Sequence, residues 1–238
     1  MRVLAITLGV LALANPATAQ WYATGFLGNA DTSPIQLRLS SPHTALIIDA
    51  VELRDESSVS PWYYGARVTR RFSRARWLGV EGEFIHAKVI SDASQVVHVR
   101  GNRDGVALDD ERPLGSVLPR FQLSHGLNFV LANVALFWPI GMSKPDPAVM
   151  IVGRVGAGPT VPHVEATFDG VSEDGYQFGS AAFGAAVGAQ IRLFPHVAAV
   201  AEFKVTRTTQ HVDVGGARLE GAFTTRHAMA GLSWHTSK

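Results

Sequence analysis

Residues 181–194 have the sequence AAFGAAVGAQIRLF, in which an apolar side chain stands at every odd position. The even positions are mostly small or polar, among them Gly184, Gly188, Gln190 and Arg192. A period of two residues is typical of a β-strand whose two faces meet different surroundings. Residues 197–206 repeat the pattern, with apolar odd positions opposite Glu202, Lys204 and Thr206. We therefore predict two long antiparallel strands joined by a very short turn at residues 194–196.

The same alternation recurs along most of the chain and predicts eight strands. We place them approximately at 21–39, 61–73, 77–90, 118–138, 149–168, 176–194, 197–213 and 222–235. Strands of globular proteins average about five or six residues, whereas a strand needs about nine to eleven residues to cross a membrane. The lengths therefore favour an all-β fold, an eight-stranded antiparallel transmembrane β-barrel of the outer-membrane type.

The connections between these strands alternate in length, which also favours that barrel. Short turns are expected at 73–76, 141–147 and 194–196, and longer polar segments at 40–60, 91–117, 169–175 and 214–221. Outer-membrane barrels have short periplasmic turns and longer external loops. Within 91–117 we expect a hairpin extension, with residues 96–100 against 106–109.

The first residues predict export, and the composition excludes several other classes of protein. Arg2, an apolar run and the small residues at 17–19 predict a signal peptide over residues 1–19, which leaves 20–238 as the barrel. The chain has no cysteine, which excludes disulfide and thiolate chemistry. A formal net charge of +1 gives no support to a nucleic-acid partner. After the first segment, the sequence has no run of about 18 apolar residues, so no transmembrane helix is predicted.

The polar face of the predicted strands carries charges that must be accommodated inside the barrel. Eight strands enclose an interior just wide enough for side chains to fill. We expect an ion-paired plug and not a pore, with Phe84, Phe183 and Phe203 facing lipid. The charged residues assigned to the lumen are Arg67, Arg71, Glu81, Glu83, Arg154, Arg192, Glu202 and Lys204.

Three histidines interrupt the apolar, lipid-facing register of neighbouring strands. They are His86, His125 and His163, and Glu165 follows in the same register. A turn centred on Lys144 would place His125 directly opposite His163, with Cβ atoms about 4.5–5.5 Å apart. Two imidazoles and a carboxylate suit a divalent transition metal. The residues alone therefore indicate a catalytic patch of these four residues, with His125, His163 and Glu165 as metal ligands.

Two alternatives to this patch stay open at this point. The histidines are also compatible with an interfacial role against lipid headgroups, and Pro159 and Pro162 are expected to disturb the strand register. Ser124 neighbours His125 but should alternate to the opposite face, which makes a serine–histidine pair poor geometry.

Several short stretches resemble a group of small alphaproteobacterial outer-membrane barrels described as lipid A oxidase-like. They are residues 63–67, 83–88, 120–128 and 161–165, with a weaker match at 201–204. The resemblance implies oxygen-dependent oxidation of the proximal glucosamine of lipid A to an aminogluconate.

The expected function is therefore modification of lipid A in lipopolysaccharide by a monomeric barrel in the bacterial outer membrane. Lys88, expected to point outward, would hold a lipid A phosphate as a point charge. The alternative is a non-enzymatic barrel that stabilises the envelope or binds ligands through its loops. The oxidase needs an outward polar cluster, and the structural barrel does not.

Overall fold

The computed structural model describes residues 20–141 and 148–236, so the predicted signal peptide and most of the 141–147 turn lie outside the described residues. Within these ranges the chain is almost entirely β-structure, with one 3₁₀ turn at Leu114–Ser116, and no described helix is long and apolar enough to cross a membrane. The strands are β1 (Gln20–Thr32), β2 (Ile35–Ser40), β3 (Thr44–Val51), β4 (Leu53–Arg54), β5 (Tyr64–Arg71), β6 (Leu78–His86), β7 (Val89–Ser91), β8 (Val96–Arg103), β9 (Val106–Pro113), β10 (Arg120–Leu123), β11 (Leu127–Ile140), β12 (Val149–Phe168), β13 (Val171–Tyr176), β14 (Ala181–Phe194), β15 (Val197–Val214) and β16 (Ala217–His235).

Eight of these strands close into a barrel. The ring runs β1–β5–β6–β11–β12–β14–β15–β16, and every neighbouring pair is antiparallel. Pairing of β1 with β16 closes the ring, because Tyr22 faces His235 and Thr32 faces Thr225. Closure leaves no unpaired edge within the barrel wall. The predicted eight-stranded antiparallel barrel is confirmed.

The outside of the barrel is an apolar belt. Phe183 is 64% exposed and Phe203 is 49% exposed, as expected for side chains that face lipid. Tryptophans are exposed near the end with the short turns, at positions 21, 77, 138 and 234, where an aromatic girdle belongs. Toward the other end the outward series turns polar, with Arg207 on β15 and Arg226 on β16. These positions mark the external rim of the belt.

The lumen is filled by a buried network of ion pairs. The Arg67 guanidinium lies 2.6 Å from Glu83 and 2.8 Å from Glu202. Arg154 lies 2.9 Å from Glu81 and 2.5 Å from Glu202, and Lys204 pairs with Glu83. Six of the eight residues assigned to the lumen therefore form one connected network.

The other two arginines lie nearer the periplasmic mouth. The Arg71 guanidinium is 3.4 Å from the Tyr22 hydroxyl and 4.9 Å from the centroid of the Phe137 ring. Arg192 lines a small cavity with Tyr22, Met150 and His235. Both arginines lie toward the end of the barrel that carries the short turns, next to Tyr22.

The external segments predicted as loops are in fact folded. Strands β2, β3, β8 and β9 extend from β16, while β4, β7, β10 and β13 add to the sheet around β12. Their inner faces bury an apolar core that includes Leu39, Ile48, Phe121, Phe168 and Leu219. The predicted hairpin is confirmed as β8–β9, with Asp104 and Gly105 at positive φ in its two-residue turn.

Three predicted strands are interrupted at the membrane rim, and the one expected at 77–90 breaks into β6 and β7 at residues 87–88. The strand expected at 21–39 breaks into β1 and β2 around Pro34, which has no N–H to donate to the ladder. The strand expected at 118–138 breaks into β10 and β11 at residues 124–126, where Gly126 has φ +106°. All three interruptions separate the membrane-spanning wall from the external extension.

The buried ion-pair network should contribute to the free energy of unfolding of the barrel. Replacing Glu83 with Gln removes the carboxylate that contacts both Arg67 and Lys204, leaving buried positive charge without full compensation. We expect the free energy of unfolding to fall by about 3–5 kcal/mol, measured by urea unfolding in lipid vesicles. Asp109→Asn, in the exposed β8–β9 hairpin, is the control and should change little. A Glu83→Gln barrel as stable as the wild type would contradict the account.

Candidate metal centre

A polar cluster lies on the outer wall at the external rim of the belt. On β12 the outward residues are Val155, Pro159 and Val161, and the next two are His163 and Glu165. The β10 strand pairs with this part of β12, and the turn that follows it carries His125. The cluster therefore stands immediately beyond the lipid-facing part of β12, on the same face of the sheet.

Three potential ligand atoms converge there. His125 Nδ1 lies 3.3 Å from Glu165 Oε1, and His163 Nδ1 lies 4.0 Å from the same oxygen. The two imidazole rings are 4.7 Å apart between centroids, and the ligand atoms of all three residues lie within 4.8 Å of one another. Ligand atoms bonded to one metal at about 2.0–2.2 Å stand roughly 3–3.5 Å apart, so small side-chain movements suffice to complete the site.

The register that brings these residues together differs from the predicted one. Phe129 faces Thr160 in the β11–β12 pair, one residue away from the expected register. Gln122 faces Glu165 in the β10–β12 pair, one residue away in the opposite direction. The turn at residues 124–126 accommodates the change of register between the β10–β12 pair and the β11–β12 pair. His125 is thus not a ladder partner of His163, and the turn carries its ring over to that histidine.

The surroundings of His163 fit a bound metal ion. In the part of the chain that the structure describes, its buried Nδ1 has no hydrogen-bond partner. Its other ring nitrogen, Nε2, lies 3.6 Å from Asp174 Oδ1. Metal-binding histidines commonly present their second ring nitrogen to a carboxylate, which fixes the tautomer and the ring orientation. This arrangement leaves Nδ1 free to bind a metal on the side of Glu165.

Glu165 is a buried carboxyl group held between an arginine and the two histidines. Its side chain is only 5% exposed, although it points to the outer face of the sheet. Arg120 pairs with one carboxylate oxygen, and Gln122 Nε2 donates to the same oxygen at 2.9 Å. The second oxygen faces the two histidines. Two histidines and one carboxylate with open positions are the ligand set of non-haem iron(II) oxygenases.

Ser124 is closer to the cluster than the sequence suggested. Its Oγ lies 3.0 Å from His125 Nδ1, and it also bonds to the Glu165 carboxylate. The expected alternation fails because residues 124–126 have left the strand. The serine and the carboxylate nevertheless approach the same ring nitrogen, whereas a hydrolytic triad needs them on opposite nitrogens. The site is therefore not arranged for a serine nucleophile.

Two residues predicted for the patch lie elsewhere. His86 keeps its outward register but is buried under Tyr64, with ring centroids 4.9 Å apart, and its Nδ1 contacts Asn128 Oδ1 at 2.9 Å. Lys88 is buried and donates to the Val59 carbonyl at 2.8 Å, so its ammonium group is not exposed to lipid as expected. Lys88 is covered by the segment that carries Val59, whereas His86 lies between Tyr64 and Asn128.

Sequence reasoning missed the contribution of β13. Asp174 and Tyr176 face Glu165 and His163 across the ladder, and the Tyr176 ring meets the His163 ring edge-on at 4.6 Å. The segment 169–175 was expected to be a loop. The sequence feature that indicates a hairpin here is the dipeptide Asp169-Gly170. It forms the β12–β13 turn, with both residues at positive φ. Asp-Gly between alternating residues is a strong hairpin pattern.

A closed eight-stranded barrel with a lipid-facing belt and a charged lumen is an outer-membrane β-barrel. No protein-family profile matches this chain, and no curated protein matches it in sequence.

Several solved structures are similar in fold. The outer membrane protein OprG from Pseudomonas aeruginosa has 12% identity, with 93% of this chain and 97% of that chain covered and a TM-score of 0.46. The outer membrane protein AlkL has 10% identity, with 95% and 93% covered and a TM-score of 0.43. The outer membrane protease OmpT from Escherichia coli has 10% identity, with 91% and 97% covered and a TM-score of 0.43. At this level of similarity the comparison concerns the fold alone.

Metal affinity tests the three-ligand site directly. We expect the detergent-solubilised barrel to bind one Co²⁺ ion, with a visible absorption band from its coordinated imidazoles, and His163→Ala or Glu165→Gln to lose that band because each removes a ligand. Asp174→Asn should lower the Co²⁺ affinity by about 10- to 100-fold without abolishing binding. His211→Ala, on an exposed external strand position, is the matched control. Unchanged Co²⁺ affinity in His163→Ala would rule the site out.

Proposed function

We propose that this barrel oxidises lipid A at the metal centre on its outer wall, acting on the proximal glucosamine. The observation that carries the proposal is the position of His125, His163 and Glu165, which combine an oxygenase-type ligand set with the membrane rim. A structural barrel has no need of three converging ligands there. Ionisable residues at membrane depth or at its boundary usually mark function.

The location suits a substrate that is itself a membrane lipid. Lipid A has its acyl chains in the outer leaflet and its sugars just above the hydrocarbon, so it reaches the barrel from the side. The His125 side chain is 58% exposed, and Tyr176, which contacts His163, is also exposed. The belt residues below, including Val130, Val155 and Phe183, present an apolar surface to the acyl chains. No passage through the charged lumen is required.

The proposed reaction is a two-electron oxidation at the anomeric carbon. The C–H bond at that carbon and the O–H bond of its free hydroxyl break, and the carbon becomes the carbonyl of a lactone. Two electrons and two protons pass to O₂, which becomes hydrogen peroxide. Water then opens the lactone to the aminogluconate, so the product contains one more oxygen atom than the starting sugar.

The protein residues have separate roles in this proposal. A divalent transition metal bound by His125, His163 and Glu165 would supply open coordination positions for O₂ and for the sugar hydroxyl. Arg120 and Gln122 hold Glu165 in place, and Asp174 orients His163. The partly exposed side of the cluster faces the lipid, which is where the substrate approaches.

Lipid A composition tests the proposed function. In cells that make the wild-type protein, mass spectrometry should show lipid A whose proximal sugar has gained one oxygen atom. His163→Ala and Glu165→Gln should reduce this product at least 100-fold, since each removes a ligand while leaving the lumen network intact. His211→Ala should leave the product at the wild-type level. Heat-dependent mobility on gels shows whether each variant has folded as a barrel.

Two outcomes would contradict this function. One is lipid A that is identical with and without the wild-type protein in aerated cells, which would favour the non-enzymatic barrel. The other is a folded His163→Ala, Glu165→Gln double variant that modifies lipid A at the wild-type level, which would place the chemistry elsewhere.

A further inference from the structure

One continuous row of outward residues crosses five strands beside the metal centre. Arg54 on β4 faces Ile90 on β7, which faces Gln122 on β10. Gln122 in turn faces Glu165 on β12, which faces Asp174 on β13. Directly paired residues of antiparallel strands point to the same side of the sheet. The five side chains therefore lie on one face, along a line at right angles to the strands.

Burial of the flanking residues confirms the direction of this row. Val89, Leu123 and Val164 alternate with row residues along their strands and are buried in the apolar core. Neighbouring strands are about 4.7–4.9 Å apart, so three strand spacings separate Arg54 from Glu165 by about 14 Å. The row is thus a shallow, outward-facing surface that starts at the metal centre and ends at an arginine.

The two ends of the row differ in charge. At the β4 end, the Arg54 side chain is 63% exposed. At the β13 end, Asp174 and its neighbour Glu173 are both exposed carboxylates. A phosphate is attracted to the first end and repelled from the second. Any phosphorylated ligand on this surface therefore has a preferred orientation.

Arg54 is available for a phosphate. Among the residues that the structure describes, its ionic contact is with Asp92, 3.8 Å away and itself about half exposed. An exposed ion pair of this kind contributes little to stability and exchanges readily. A guanidinium binds phosphate through two parallel hydrogen bonds, which gives both affinity and a fixed geometry. Lys88, in contrast, is buried under the chain and does not present its ammonium group to a lipid.

We propose that this row binds the phosphorylated disaccharide headgroup of lipid A in one direction. The reacting proximal sugar lies at His125 and Glu165, and the phosphate of the distal sugar lies on Arg54. Two sugar rings placed end to end cover the surface over Ile90 and Gln122 between these points. The assignment rests on the proposed function for the identity of the reacting sugar, while phosphate recognition by Arg54 is a separate property of the surface.

A binding measurement without turnover tests the assignment. The protein carries Glu165→Gln in every sample, so that no substrate is converted, and its affinity is measured in detergent for lipid A with and without the distal phosphate. Adding Arg54→Ala should weaken binding of the phosphorylated form about tenfold or more, the loss of one charge-assisted contact. Binding of the form without that phosphate should not change. Arg54→Lys should restore only part of the affinity.

The controls separate this inference from general attraction to the membrane and from the oxidase activity. Arg207→Ala, an exposed arginine on the far strand β15, should leave both affinities unchanged, and phosphatidylglycerol should compete poorly because it has no disaccharide. Equal affinity of Arg54→Ala and its parent for phosphorylated lipid A would overturn the inference. An equal loss for both lipid A forms would also overturn it. A phosphate-specific loss in a barrel that never oxidises lipid A would retain the binding row and reject the proposed reaction.

Discussion

The buried ion-pair network in the lumen is the constraint on which the rest of the structure depends. A chain that turns its apolar side chains toward lipid must place its polar ones inside a narrow barrel, where water cannot solvate them. Arg67, Arg154 and Lys204 are therefore matched with Glu81, Glu83 and Glu202 at hydrogen-bonding distance. Loss of any one partner leaves a buried charge uncompensated. Because these side chains fill the lumen, the surface that a substrate can reach is the outer wall.

At the external rim of the belt, the inner and outer faces of the sheet exchange their polar and apolar character. Below it, the outward residues are apolar and the interior is charged. Above it, the interior is an apolar core and the outward face is polar. The candidate metal site lies at this reversal on β12, so its three side chains are outside the barrel yet next to the lipid surface. A membrane lipid with a sugar headgroup would contact the apolar belt and the polar cluster at the same time.

Much of this arrangement follows from sequence patterns, and the exceptions have identifiable physical causes. The two-residue period predicted the barrel strands, the outward phenylalanines and the six lumen charges, because a strand's two faces meet different surroundings. It also pointed to His125, His163 and Glu165, but it put His125 in a lipid-facing register, whereas Leu123 and Leu127 on either side of it are buried in the core. The period fails where the backbone leaves the strand, as at residues 124–126, so it misplaced Ser124 and the register of His125. Burial of Lys88 depends on the distant Val59, and the part played by Asp174 depends on the pairing of β13. Neither contact leaves a local signal in the alternation.

The most direct test of the central claim is oxygen consumption by the purified, metal-loaded barrel in lipid nanodiscs that contain lipid A. The account predicts uptake of one O₂ and formation of one hydrogen peroxide for each lipid A molecule oxidised, with both lost in the folded Glu165→Gln protein. Oxygen uptake that persists unchanged in Glu165→Gln, or a fully metal-loaded wild-type barrel that consumes no oxygen with lipid A, would contradict it.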